Sequence, residues 1–250
     1  MHPELRGWVD VQRTPQANVR LGMTLCFVAG ATNAGGFLAV GEYTSHMTGV
    51  VSTVADSLAL SHWRLALDGL TSLLSFVLGA MSTAWLVNWG LRRQLSSSFG
   101  LPLLLEALLL LVFGLFGAVL NQWDAHFVPM TVLLLCYIMG LQNAVITKIS
   151  KAEIRTTHLT GLVTDFGIEL GKLLYMNRHP GVNPVQANRQ KLLLQGRLIS
   201  SFFAGAVLGA LGFKHWGYVT TLPLAALLLL LLWRPLVQDV LAGLVFPPRH

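Results

Sequence analysis

Long apolar runs alternate with short polar breaks along most of the chain. A transmembrane helix needs about 20 mainly apolar residues, and six windows meet that length: 21–40, 66–89, 101–120, 127–147, 193–213 and 216–233. The last is the shortest and carries the densest leucine run, Leu227–Leu232. Two further segments, 48–60 and 160–174, repeat with a helical period but are too short to cross a bilayer. The pattern predicts an all-α polytopic membrane protein.

Lys and Arg in the connections set the orientation. With the N-terminus in the cytoplasm, fourteen of the seventeen basic residues fall on inside segments, and only Arg64 and Lys214 fall outside. Residues 1–20 then form a cytoplasmic N-terminal segment and residues 234–250 a cytoplasmic tail. The opening residues mix Glu4, Asp10 and Pro15 with arginines and have no apolar core, so no secretory signal is expected.

Composition narrows the class. Charged residues make up 11% of the 250 and hydrophobic ones 54%, too little charge to cover a water-soluble domain and the opposite of a disordered chain. A net charge of +6 without a basic stripe on a soluble segment excludes nucleic acid as a partner. Cys26 and Cys136 both lie in apolar runs, so neither a disulfide framework nor a metal site is expected, and no cofactor is implied. HExxH, GxSxG and GxxxxGK[ST] patterns are missing, which argues against an enzyme.

The two halves match in order. Asn33-Ala34 pairs with Asn143-Ala144, and Ser45-His46-Met47-Thr48-Gly49 pairs with Thr157-His158-Leu159-Thr160-Gly161. Ser75-Phe76 and Gly79-Ala80 pair with Ser201-Phe202 and Gly205-Ala206, and Leu101-Pro102-Leu103 pairs with Leu222-Pro223-Leu224. Residues 21–120 and 127–233 therefore read as two three-helix repeats. An odd number of spans per half puts the second half upside down, which makes a 3+3 inverted-topology repeat, the architecture of many secondary transporters.

Each Thr-Gly motif opens one of the short segments, where a Thr hydroxyl can cap free N–H groups and Gly allows close approach. Two readings stand: half-helices whose positive ends face a central, anion-favouring site, or interfacial amphipathic helices. In the first reading the binding residues are Asn33, His46, Thr48, Gly49, Asn143, His158, Thr160 and Gly161. Asp56, Glu106, Asp165 and Glu169 are the candidates for proton coupling. Glu106 is an intramembrane carboxylate near the cytoplasmic edge, expected to be solvated or paired with Arg92 or Arg93. Ser75, Gly79 and Thr83, with Ser201, Gly205 and Gly209, have the four-residue spacing of close helix packing, which suggests that the second and fifth spans form a central pair or an oligomer contact.

Ser45-x-x-Thr48-Gly49, Gly140-Leu141-Gln142-Asn143-Ala144 and Thr156-Thr157-x-x-Thr160-Gly161 together resemble the YoaK-type family of bacterial inner-membrane proteins. The resemblance covers residues 20–235 and implies a six-helix, multi-pass protein of the bacterial inner membrane with no established substrate. Members carry Thr-Gly-Asn at the first motif, whereas this chain has Thr48-Gly49-Val50. The expected function is a transporter or exporter of a small solute, with an anion favoured. The alternatives are a sensor or scaffold subunit and, behind these, a lipid-modifying enzyme. Anionic lipid headgroups are the expected partners of the basic 148–191 loop, and the small size of the chain leaves room for a homodimer.

Overall fold

The computed structural model describes residues 14–120, 127–149, 159–177 and 183–245. Eight α-helices follow one another among the described residues: α1 (Pro15–Val40), α2 (Met47–Ala59), α3 (Trp63–Arg92), α4 (Leu101–Leu120), α5 (Phe127–Ile149), α6 (Leu159–Leu174), α7 (Arg189–Trp216) and α8 (Thr221–Val245). A 3-10 turn, Gly217–Thr220, joins the last two. Five of the six apolar windows fall on α1, α3, α4, α5 and α7, and the sixth, 216–233, runs from the last residue of α7 through the 3-10 turn into α8.

Four helical stretches among the described residues are long and apolar enough to cross a membrane: Gln16–Val40, Trp63–Arg92, Met130–Ile149 and Arg189–Leu241. The last combines α7 and α8, and Leu101–Gly117 in α4 is apolar but shorter. Large apolar side chains stand exposed along these helices, among them Leu74, Trp85, Phe203, Leu230 and Trp233. An aqueous surface would not tolerate such a belt, and a hydrocarbon surface would.

Local signals explain the helix ends. Thr14 caps α1, accepting the Ala17 N–H through its hydroxyl, and Pro15 takes the first helical position, where its missing N–H costs nothing. Gly41 ends α1 at φ 79°, returning its N–H to the Phe37 carbonyl. α7 starts on Asn188, which accepts the Lys191 N–H. α8 runs well past residue 233, through Pro235 to Val245. The stretch expected as a tail is therefore largely helix, and it carries a contact: Asp239 accepts the N–H groups of Ser96 and Ser97 at 2.8 and 2.9 Å and the Ser97 hydroxyl at 2.5 Å.

The small-residue stripes do make close helix contacts, but not with each other. α3 packs on α5 and α7 packs on α1, so the expected central pair of second and fifth spans is replaced by two separate pairs. A Cβ added at Gly79 would run into the Tyr137 carbonyl oxygen, and one at Gly205 into the Phe27 carbonyl oxygen. Seen from the partner helices, Gly140 is closed by the Phe76 carbonyl and Gly30 by that of Phe202. Ser75 donates to the Leu133 carbonyl at 2.6 Å, and Ser201 donates to the Met23 carbonyl at the same distance. Contacts advance together along each pair, 75 to 133 and 83 to 141, so the partners run parallel. α4 and α8 run antiparallel: Gly117 meets Tyr218, Thr221 donates to the Leu110 carbonyl, and Ser97 meets Asp239.

Burial follows the same correspondence. Leu21–Gly36 and Thr131–Ile146 show one sequence of buried and half-buried positions, residue for residue, at an offset of 110. Cys26 and Cys136, both buried and in no disulfide with each other, occupy equivalent places. The central core joins Leu25, Leu103, Leu110, Ile138, Ile146, Leu198 and Leu228 from five helices.

Candidate functional site

α2 and α6 have 13 and 16 residues, about 20 and 24 Å at 1.5 Å per residue, short of a 30 Å hydrocarbon core. α2 packs on α3 and α6 on α7, and the two are not packed against each other. The Thr-Gly motifs are therefore held in separate places rather than gathered at one central point.

Helix α2 starts at Met47, with His46 as its cap residue and no side-chain cap hydrogen bond. Thr48 thus lies inside the first turn and does not cap it, contrary to expectation. Its side chain is exposed. The His46 ring lies over Gly49, where any Cβ would strike its Cδ2. That contact explains the Gly: it makes room for the imidazole. Asn33 accepts both the N–H and the hydroxyl of Ser45, at 3.2 and 2.9 Å. It pins the loop ahead of α2 to the end of α1.

In the second half, Thr160 is exposed and Gly161 half-buried in the first turn of α6, while the cap position, His158, lies outside the described residues, as do Thr156 and Thr157. The Thr160 carbonyl accepts the Thr164 hydroxyl. Asn143 donates to the Met139 carbonyl of its own helix at 3.0 Å.

Amphipathicity in α6 is inverted relative to a soluble helix. Val163, Leu173 and Leu174 are exposed, while the polar side packs on α7 and the segment before it. Asp165 forms an ion pair with Lys191 at 3.0 Å and accepts from Gln195. Glu169, only 5% exposed, pairs with Lys172 at 2.9 Å and accepts the Asn188 N–H at 2.8 Å. The Lys172 hydrogen bond, followed by that from Asn188, holds the Glu169 carboxyl below the usual carboxylate range. Asp165 and Glu169 are thus structural ties between α6 and α7. Lys172 and Lys191, counted among the basic groups for lipid headgroups, are engaged in ion pairs with Glu169 and Asp165, and Lys148 donates to Asn88. Asp56 is exposed on α2, away from the cleft described below.

Glu106 departs furthest from expectation. Neither Arg92 nor Arg93 reaches it, and Arg93 instead lies over the Trp89 ring at 4.8 Å. The Glu106 side chain is fully buried in α4, and neither carboxylate oxygen has a hydrogen-bond partner. Thr32 and Gln142, at equivalent positions of α1 and α5, are likewise fully buried with unpartnered polar atoms. Thr32 carries no signal in the sequence beyond its neighbour Asn33, whereas Gln142 stands inside the Gly140–Ala144 motif beside Asn143. Among the described residues, no three His, Cys, Asp or Glu side chains are arranged to hold a metal ion.

An open cleft of about 400 Å³ lies between the end of α1, the loop 41–46, α2, the start of α3 and the start of α5. His46 and Gly49 line it, as do Glu42, Tyr43, Thr53 and Asp68. The Phe37 and Tyr43 rings are stacked on its wall at 4.5 Å between centroids. Its volume is that of a small-molecule site. Of the sequence candidates, this cleft brings together His46 and Gly49 directly and Asn33 through the loop it holds. Glu42 and Tyr43 carried no signal in the sequence beyond their position next to the motif.

The protein-family model described as "Protein of unknown function (DUF1275)" matches residues 21–233. The chain is also similar to "UPF0700 transmembrane protein YoaK" of Bacillus subtilis (strain 168), 29% identical over 157 residues, which are 62% of this chain and 68% of that protein. No solved structure matches it.

Proposed function

Because the chain belongs to the DUF1275 family and is a multi-pass membrane protein, we propose that it is a secondary transporter of a small solute. In this reading six spans form a 3+3 inverted repeat, with both termini in the cytoplasm of a bacterial cell and the protein in its inner membrane. The observation that carries it is the paired packing: α1 on α7 through Gly30 and Gly205 is matched by α5 on α3 through Gly140 and Gly79, with equal burial along α1 and α5. Two equivalent halves can exchange conformations, so that a cleft open at one face becomes a cleft open at the other. The cleft beside α2 is the open end of one half. The Asp165–Lys191 ion pair and the Asn188–Glu169 hydrogen bond, which tie α6 to the start of α7, close the corresponding end of the other.

Glu106 is the group that couples this exchange to protons. It is buried among apolar side chains with no partner in this conformation, and a carboxylate in that position needs either a proton or a counter-charge. Asp56, Asp165 and Glu169, exposed or tied to cations, are left out of that role.

Thr48→Cys and Thr160→Cys, in a chain whose Cys26 and Cys136 are replaced by Ala, test alternating access. In vesicles of known orientation, an impermeant maleimide should label the two positions from opposite faces. A transported solute should change the two labelling rates in opposite directions. Rates that stay constant across solutes, together with a stably co-purifying protein, would mark a fixed scaffold and overturn the transporter reading.

A further inference from the structure

The cleft beside α2 has a definite charge character. Its titratable lining groups are Glu42, His46 and Asp68, and no Lys or Arg lines it. The carboxylates come from different elements: Glu42 from the loop after α1, Asp68 from the second turn of α3. Neither is in an ion pair among the described residues, where the pairs are Lys172–Glu169 and Lys191–Asp165. Arg64, the nearest basic residue in sequence to Asp68, is exposed and outside the lining.

Apolar and aromatic surface fills the rest. Val50, Val132, Leu133 and Leu65 line the cleft with the stacked Phe37–Tyr43 pair, and ring faces attract cations. The start of α2 works in the other direction, since a helix N-terminus carries about half a positive charge. Two carboxylates outweigh it, so the cleft keeps a net negative field with an aromatic wall.

We propose that this cleft binds a small organic cation, an amine or quaternary ammonium compound with an apolar or aromatic body. A volume of about 400 Å³ is that of roughly thirteen waters at about 30 Å³ each, which suits a ligand of about ten to fifteen non-hydrogen atoms. Glu42 and Asp68 hold the charged head, Phe37 and Tyr43 receive its face, and Val132 and Leu133 meet the apolar part. This reverses the expectation of an anion, which rested on helix N-termini alone. It deepens the transporter reading and names the class of its solute.

The second half does not repeat these carboxylates in sequence. By the motif alignment, Tyr43 corresponds to Arg155 and Asp68 to Leu194. A cation would therefore meet its carboxylates at the α2 end and lose them at the α6 end, which favours capture at the first and release at the second.

Phenethylamine and phenylacetate, alike in size and opposite in charge, make the test on the detergent-purified full chain. Phenethylamine should raise the unfolding midpoint saturably, because a ligand bound to the folded state stabilises it, and phenylacetate should not. Glu42→Gln and Asp68→Asn, both on exposed side chains, should melt like the parent without ligand. Each should weaken phenethylamine binding by about fivefold, the worth of one charge contact near water. The inference is overturned if phenylacetate binds as tightly as the amine, if neither compound binds, or if the double variant binds the amine as the parent does. Liposome flux separates this from the transporter reading. Amine binding without flux would keep the cation site and end the transporter, and flux of phenylacetate without amine binding would do the reverse.

Discussion

Gly79→Ala and Gly205→Ala place the same perturbation at equivalent points of the two close helix pairs. Each added methyl would overlap a backbone carbonyl oxygen, of Tyr137 in one case and Phe27 in the other. A carbonyl cannot turn aside as a side chain can, so the helices must separate by on the order of 1 Å to restore van der Waals contact. Separation on that scale strains the core by about 3 kcal/mol, the upper end for overpacking. It also breaks the neighbouring Ser75–Leu133 or Ser201–Met23 hydrogen bond, worth about 0.6 kcal/mol between membrane helices. Against this stands a gain of about 1 kcal/mol, because Ala is the better helix former. The net loss is about 2–3 kcal/mol for each variant, and the losses should add in the double variant. Gly171, whose Cβ would meet nothing within 4 Å, is the control, and Gly171→Ala should stabilise by about 0.5–1 kcal/mol. Equilibrium unfolding in mixed micelles measures all four proteins. If Gly79→Ala or Gly205→Ala unfolds like the parent, the close packing described here is wrong, and a loss in only one would break the equivalence of the halves.

Three further outcomes follow from named contacts. Asp239→Asn removes the charge that accepts three hydrogen bonds at Ser96 and Ser97 and should cost about 1–2 kcal/mol in the same unfolding assay; an unchanged midpoint would deny α8 its hold on the start of α4. Because the folded Glu169 carboxyl titrates below the usual carboxylate range, its stabilisation is present above the unfolded value and is lost as pH falls through the folded one. Hydrogen exchange in α6 should therefore be faster in Glu169→Gln than in the parent at neutral pH, with the difference closing in acid; a gap independent of pH would refute the assignment. Asn33→Leu frees the Ser45 N–H and hydroxyl, so protease cleavage in the loop 41–46 should accelerate several-fold while the unfolding free energy falls by about 1–2 kcal/mol; an unaltered cleavage rate would show that the loop is held by other contacts.

Apolar windows settled the helical class, the membrane setting and the place of each long helix, because hydrophobic length acts on each segment independently of its neighbours; the helix ends lie elsewhere, α1 starting at Pro15 and α8 running to Val245, because caps and docking contacts set them. The short segments α2 and α6 were legible for the same reason, each within a residue or two. Which helices pair is a different matter. The stripes on α3 and α7 could serve any small-residue partner, and only the folded chain directed one to α5 and the other to α1. Burial of Glu106 was likewise out of reach: its place near a helix end suggested water and arginine, while the packing of α4 against α5 and α8 removed both. Periodicity shows that α6 has two sides and cannot say which one meets lipid. Tertiary contact decided that the acids turn inward to Lys191 and Asn188. The cleft belongs wholly to that level, because Glu42 and His46 lie in the loop after α1 and Asp68 lies in α3, and only the packing of α1, α2, α3 and α5 gives them a common wall.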